Sequence, residues 1–139
     1  MQYGKLDLPG QLADGFNECW PIDSVPDVQG GKRRVRKNGS LNHFTGCCGQ
    51  VVFRGDRLPS ELYGNLFVPE PVGRLIRRAI VSNDSGMRVL TNAHEGSEFL
   101  RTKDANFRPI NMYTAPDGTL YIVDMYRGII QEGNWVREG

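Results

Sequence analysis

Asn106-Phe-Arg-Pro-Ile-Asn-Met-Tyr-Thr-Ala-Pro-Asp-Gly-Thr-Leu-Tyr-Ile-Val-Asp-Met-Tyr-Arg-Gly-Ile-Ile-Gln-Glu132 is the stretch that decides the fold class. Ile110 to Ala115 and Thr119 to Asp124 are short runs of β-branched and aromatic residues on either side of Pro116-Asp117-Gly118. Proline presets one turn dihedral and glycine accepts positive φ, so such a triplet between two apolar runs predicts a tight turn between antiparallel strands. Met125-Tyr126-Arg127 is expected to make a second turn, and Gly128 to Gln131 to begin a third strand. A three-stranded meander buries little by itself, so the remaining chain must supply a sheet for it to pack on.

The remainder agrees with an all-β fold. Seventeen glycines and eight prolines in 139 residues interrupt every candidate helix, and no window keeps apolar residues at helical spacing for three turns. A net charge of +1 gives no reason to expect a nucleic-acid partner. No apolar run is long enough to span a membrane, and Met1 to Asp7 has no apolar signal core. Cys19, Cys47 and Cys48 offer no Cys-x-x-Cys pair, so metal held through sulfur is not expected. Buried free thiols, or one bridge from Cys19, are both open readings.

Outward from the deciding stretch, residues 1–40 read as loop, with a basic hairpin over Lys32 to Lys37 that turns at Asn38-Gly39. Asn-Gly favours a two-residue turn because both positions tolerate positive φ. The basic run is either a solvated hairpin or an anion patch. Gly49 to Arg54 and Gly64 to Glu70 are expected strands, with a short loop or single helical turn at Arg57 to Tyr63. Arg74 to Val81 and Met87 to Leu90 make a hairpin around Asn83 to Gly86, and Ala93 to Asp104 is a polar connection anchored by Phe99-Leu100.

A repeat organises these strands. At an offset of 54 residues, Gly64-Asn-Leu-Phe-Val-Pro-Glu70 falls on Gly118-Thr-Leu-Tyr-Ile-Val-Asp124. Leu75-Ile76 then falls on Ile129-Ile130, and Phe53-Arg54 on Phe107-Arg108. A period of this length with about four short strands per copy is the pattern of β-propeller blades. The expected division is a loop-rich segment over 1–40, a blade over 41–104 and an incomplete blade over 105–139. Two blades do not close a ring, so the sequence reads as part of a longer propeller.

Strand alternation places the entry to the first strand of a blade and the turn after its second strand at one end of the sheet. That gathers Asn106, Arg108, Asp124, Tyr126 and Arg127, with Glu70 near the same rim. An arginine fork with acids and a tyrosine suits an anionic or polyhydroxylated ligand. The competing reading is a structural ion pair of Arg108 or Arg127 with Asp124 or Glu70. No catalytic residue is identified: His43 and His94 are separated, and no nucleophile sits in a recognisable elbow. Asp104-Ala105-Asn106 begins like a calcium loop but has Pro109 and Ala115 where glycine and glutamate are needed.

Gly55-Asp-Arg-Leu-Pro59, Gly64 to Gly73, Glu98-Phe-Leu100, Asn106-Phe-Arg-Pro109 and Pro116 to Gly128 resemble the membrane-bound dehydrogenase propellers of planctomycete and verrucomicrobial bacteria. The resemblance covers about residues 26 to 137. Those proteins are similar to the quinoprotein glucose and sorbosone dehydrogenases. The resemblance implies a six-bladed, exported, periplasmic propeller that oxidises a sugar or alcohol with pyrroloquinoline quinone and calcium. It also implies a c-type cytochrome domain in the same chain as electron acceptor. In the quinoproteins an Arg-aromatic-Arg segment contacts the quinone; Asn106-Phe107-Arg108 corresponds to it, with asparagine in place of the first arginine. The catalytic His and most calcium ligands would come from other blades, so this piece alone is expected to be inactive. The alternative is a non-catalytic propeller that binds a glycan or a protein.

Overall fold

The computed structural model describes residues 18–23, 36–41 and 43–130. Among these residues the fold is all-β, and its one helical element is a 3-10 turn at Ser60–Leu62. Strands β1 (Val51–Val52), β2 (Leu66–Glu70), β3 (Leu75–Asp84) and β4 (Met87–Asn92) form an antiparallel meander in chain order. Strand β5 (Leu100–Arg101) returns to the β4 side of β3, pairing Leu100 with Ile76 and Arg101 with Leu75. The connection expected over 93–104 therefore contains a strand, and Phe99-Leu100 lies at its start. A second sheet consists of β6 (Pro109–Thr114) and β7 (Leu120–Asp124).

The turns show why these strands end where they do. Ser85 and Gly86 both have positive φ between the paired Asp84 and Met87, which makes a two-residue hairpin loop. At Arg36 to Ser40 the expected two-residue Asn-Gly turn is replaced by a three-residue loop. The Gly39 N–H donates to Arg36 O at 2.9 Å, the Arg36 N–H donates to Ser40 O at 2.8 Å, and Gly39 alone takes φ +83°. Asn38 is spent otherwise, accepting from the Ser40 N–H and hydroxyl. Residues 32–35 of the basic run lie outside the described residues.

The 54-residue repeat survives in β2 and β7 and fails upstream. Gly64 and Gly118 both lie at φ near +80°, where only glycine is free of strain. The Gly64 N–H donates to Phe53 O at 2.8 Å as the Gly118 N–H donates to Ala115 O at 2.9 Å. The Phe53 N–H donates to Asn65 O as the Ala115 N–H donates to Thr119 O. Phe53 is thus the counterpart of Ala115, not of Phe107. The connection in the first copy is eight residues longer, which is the room taken by the 3-10 turn.

Two other expectations are corrected. Met125 to Arg127 forms no reverse turn, and residues 128–130 form no strand; Gln131 lies outside the described residues. Tyr126 takes φ +47° instead, and its N–H is held by Asp124 Oδ1 at 2.9 Å.

The core lies on both faces of the first sheet. On one face, Val51, Phe67, Ile76 and Leu100 meet Met112, Leu120 and Ile122 of the hairpin. Phe53, Phe67 and Phe99 lock this layer edge to face, with ring centroids 6.3 and 5.0 Å apart. On the other face, Leu75 packs with Val72, Cys19, Leu41 and Phe44. Cys19 and Leu41 form an antiparallel bridge across it. Cys19, Cys47 and Cys48 are all free thiols, so no bridge forms from Cys19.

Candidate functional site

The six residues singled out at the rim lie in one neighbourhood, but most of their polar groups are turned on the protein itself. Arg108 is fully buried. Its Nε donates to Arg127 O at 2.9 Å, and its Nη1 donates to Pro71 O at 2.8 Å and, at 3.4 Å, to Val72 O. Its Nη2 donates to Gly128 O. One guanidinium thus ties the β2–β3 turn of the first sheet to the segment after β7. Five donors in a fixed planar fork can do this from a single buried position.

Asp124 has a similar inward role. Its Oδ1 accepts from the backbone N–H of Arg108 at 2.7 Å and of Tyr126 at 2.9 Å. Glu70 is its counterpart in the repeat and behaves alike. Fully buried, it accepts from the N–H of Thr45, Gly46 and Val72 at 2.9, 3.0 and 3.1 Å, and from the Thr45 hydroxyl. Both acids take the N–H two residues ahead, which fixes the exit from β2 and from β7. Burial pushes the Glu70 carboxyl above the usual carboxylate range, and the N–H donors of Gly46, Thr45 and Val72 pull against that rise.

Asn106, Tyr126 and Arg127 are differently placed. Asn106 is half-buried; its N–H is capped by Asp104 Oδ1 at 2.9 Å and its Oδ1 lies against Gly128. Tyr126 is 63% exposed and held in the left-handed region. A bulky aromatic there carries strain that its surroundings must impose. Arg127 is exposed, and its side chain has no bonded partner among the described residues. With Met125, Ile129 and Ile130 it lines a cleft of about 190 Å³. The groups open to a ligand are therefore the Tyr126 ring and, in the cleft with Met125, Ile129 and Ile130, the Arg127 fork. Arg108, Asp124 and Glu70 hold the backbone beneath them.

The most buried ion pair among the described residues lies outside this group of six. Arg77 and Glu98 have no exposed side-chain surface. Arg77 Nε donates to Glu98 Oε2 at 2.9 Å, and Nη2 donates to Glu98 Oε1 and to Glu18 O. The Trp20 N–H also donates to Glu98 Oε1, and the Phe44 ring lies 4.9 Å from the guanidinium carbon. A signal existed in the alternation: Arg77 stands on the inward row of β3 between Leu75 and Ala79, where a charge requires a partner. Its partner could not be read from sequence, because Glu98 sits in a connection with no periodicity.

Burial raises the Cys19 thiol well above its ordinary value, with the charge of Glu70 adding to the rise. Cys19 is thereby an inert core residue. His94 rests its ring 6.2 Å from that of Phe99. Among the described residues, no three His, Cys, Asp or Glu side chains are arranged to hold a metal, and no helix is long and apolar enough to cross a membrane.

A family described as a domain of unknown function, DUF7133, matches residues 10–139, and the chain belongs to that family. Searches of the curated proteins and of the solved structures found no match.

Proposed function

We propose that this chain supplies two neighbouring blades of a β-propeller similar to the quinoprotein sugar dehydrogenases, and that it shapes one side of the ligand mouth there. The observation that carries this reading is the division of labour at the rim. Buried Arg108 and Glu70, with half-buried Asp124, fix the exits of β2 and β7, while Tyr126 is exposed and Arg127 lines a cleft with Met125, Ile129 and Ile130. Such a combination suits a flat, anionic, conjugated ligand: an apolar floor for its face and a guanidinium for a carboxylate. Pyrroloquinoline quinone has that chemistry. In this reading a bound quinone would supply the hydride acceptor for oxidation of a sugar or alcohol, and calcium and the proton-accepting His would be held by other blades. Export to the periplasm and a c-type cytochrome domain as acceptor belong to the same reading.

Titration of the full-length protein with the quinone in the presence of calcium is the test. The expected result is saturable binding that Arg127→Ala weakens more than about tenfold, the loss of one charge-assisted contact. Absence of binding would overturn the quinone assignment. The second reading, a non-catalytic propeller that binds a glycan or protein, is favoured by one observation. The one arginine carried over from the resemblance, Arg108, is enclosed by backbone carbonyls. A glycan array that yields a ligand where the quinone yields none would establish it.

A further inference from the structure

Cys47 and Cys48 serve neither the core nor the cleft. Free cysteine is among the most buried residue types, and Cys19 obeys that rule. Cys47 is exposed and Cys48 half-buried, and the two stand side by side outside any strand. The backbone that carries them is pinned at both ends. Ahead of the pair, the Gly46 N–H donates to Glu70 Oε2 at 3.0 Å. Behind it, Gly49 O accepts from the Met112 N–H at 3.2 Å, and Gly49 takes φ +55°. A Cβ at Gly49 would lie 2.5 Å from Asn111 Cα and from Ile110 O, so the chain passes tight against β6. Two accessible thiols are thus held between the exit of β2 and the second sheet.

We infer that Cys47 and Cys48 form a redox-active pair, which closes to a disulfide by exchange with a small-molecule disulfide and loosens the Gly46 contact to Glu70. Cys47 Sγ, the more exposed, attacks one sulfur of the external disulfide and expels a thiol, leaving a mixed disulfide. Cys48 Sγ then attacks Cys47 Sγ and expels the second thiol. Two protein thiols are thereby oxidised, one external disulfide is reduced, and the thiol protons pass to the leaving thiolates. Successive Cα atoms lie about 3.8 Å apart, below the roughly 4.4–6.8 Å that disulfides usually span. The bridge is therefore strained and readily reduced, as regulatory disulfides are. Burial raises both thiols above their ordinary value, and the charge of Glu70 adds to the rise. That slows the attack, and it also denies the reduced pair the stabilisation that ionisation gives. The strain is released toward Gly46, which one hydrogen bond holds, because Gly49 is wedged against β6. Glu70 also accepts from the Val72 N–H, and Val72 O accepts from Arg108 at 3.4 Å, so the release leads toward the rim.

Neither the blades nor the quinone enters this chemistry, so the experiment uses the full-length protein without quinone. The reduced protein is equilibrated with mixtures of reduced and oxidised glutathione, alkylated under denaturing conditions, digested and read by mass spectrometry. The expected result is joint loss of alkylation at Cys47 and Cys48, with loss of two hydrogens from their peptide, while Cys19 stays alkylated throughout. Reduction should restore both thiols. Alkylation of Cys47 and Cys48 at every ratio would overturn the pair. So would a glutathione adduct on Cys47 that Cys48 leaves unresolved, or a link of either residue to another cysteine. Hydrogen exchange reads the coupling: the peptide holding Thr45 and Gly46 should exchange faster in the oxidised protein, with the β3–β4 hairpin unchanged. Cys47→Ser should abolish that response to glutathione. Unchanged exchange at Gly46 in a protein whose pair has closed would overturn the link to Glu70.

Discussion

Two fully buried arginines organise this molecule, and they are buried by different means. Arg77 lies under residues 18–20 and 44 and meets a carboxylate, Glu98, through a two-pronged contact. Arg108 lies at the junction of the two sheets and is held by carbonyl oxygens of Pro71, Val72, Arg127 and Gly128. A carboxylate brings its own charge into the core and becomes a liability once its partner is removed. Carbonyl groups bring only dipoles, and they can turn to water when released. The first contact staples one long-range segment firmly, and the second joins elements whose relative placement shapes the rim.

That difference sets an order of effects. Glu98→Ala leaves the buried charge of Arg77 without its carboxylate and should cost about 3–5 kcal/mol, measured by urea unfolding. The paired replacement Arg77→Met with Glu98→Leu should recover most of that loss; no recovery would mean that the pair is not the source of the cost. Next comes the sheet junction, where a Cβ on Gly55 would lie 2.0 Å from Gly118 O. The Arg57 N–H also donates to Gly118 O, at 3.1 Å, so neither backbone can give way cheaply. Gly55→Ala should cost about 1–3 kcal/mol by overpacking. A neutral result would show that the two sheets slide freely.

A smaller effect is expected at Glu70. Glu70→Gln turns a donor toward the N–H groups of Thr45, Gly46 and Val72 and should cost about 1–2 kcal/mol. It should also remove a pH dependence. Because burial raises the folded-state value, the folded protein binds a proton that the unfolded chain has already released. The contribution of Glu70 to stability therefore declines as pH rises from the ordinary carboxylate value through the raised one, and is flat below both. Unfolding of the wild type and of Glu70→Gln across that window measures the difference; parallel curves would contradict it.

Much of the sheet was legible because its signals are local. Pro116-Asp117-Gly118 and Ser85-Gly86 sit where turn chemistry requires them, and the alternation gives β2, β6 and β7 within a residue or two of those expected, while β3 runs three residues past its expected end. The repeat was legible where both copies keep Gly-x-Leu-aromatic, and misled where the first copy carries a longer connection, since an ungapped offset cannot register an insertion. Strand direction gathers the rim residues at one end of the sheets, yet their orientation was not readable. Whether Arg108 faces solvent or a neighbouring turn depends on the approach of Pro71, which lies 37 residues away in sequence. The third strand failed because Tyr126 takes a left-handed conformation, and a bulky residue gives no warning of that.

Arg108 is buried and Arg127 is open, and one measurement tests that difference directly. The unfolding free energies of Arg108→Met and Arg127→Met are to be determined by urea denaturation under the same conditions. Loss of the Arg108 donors leaves buried carbonyls without partners and should cost about 1–3 kcal/mol. Loss of the exposed Arg127 should stay within about 0.5 kcal/mol. Equal small changes in the two variants would contradict the assignment of Arg108 to the architecture and return it to the rim.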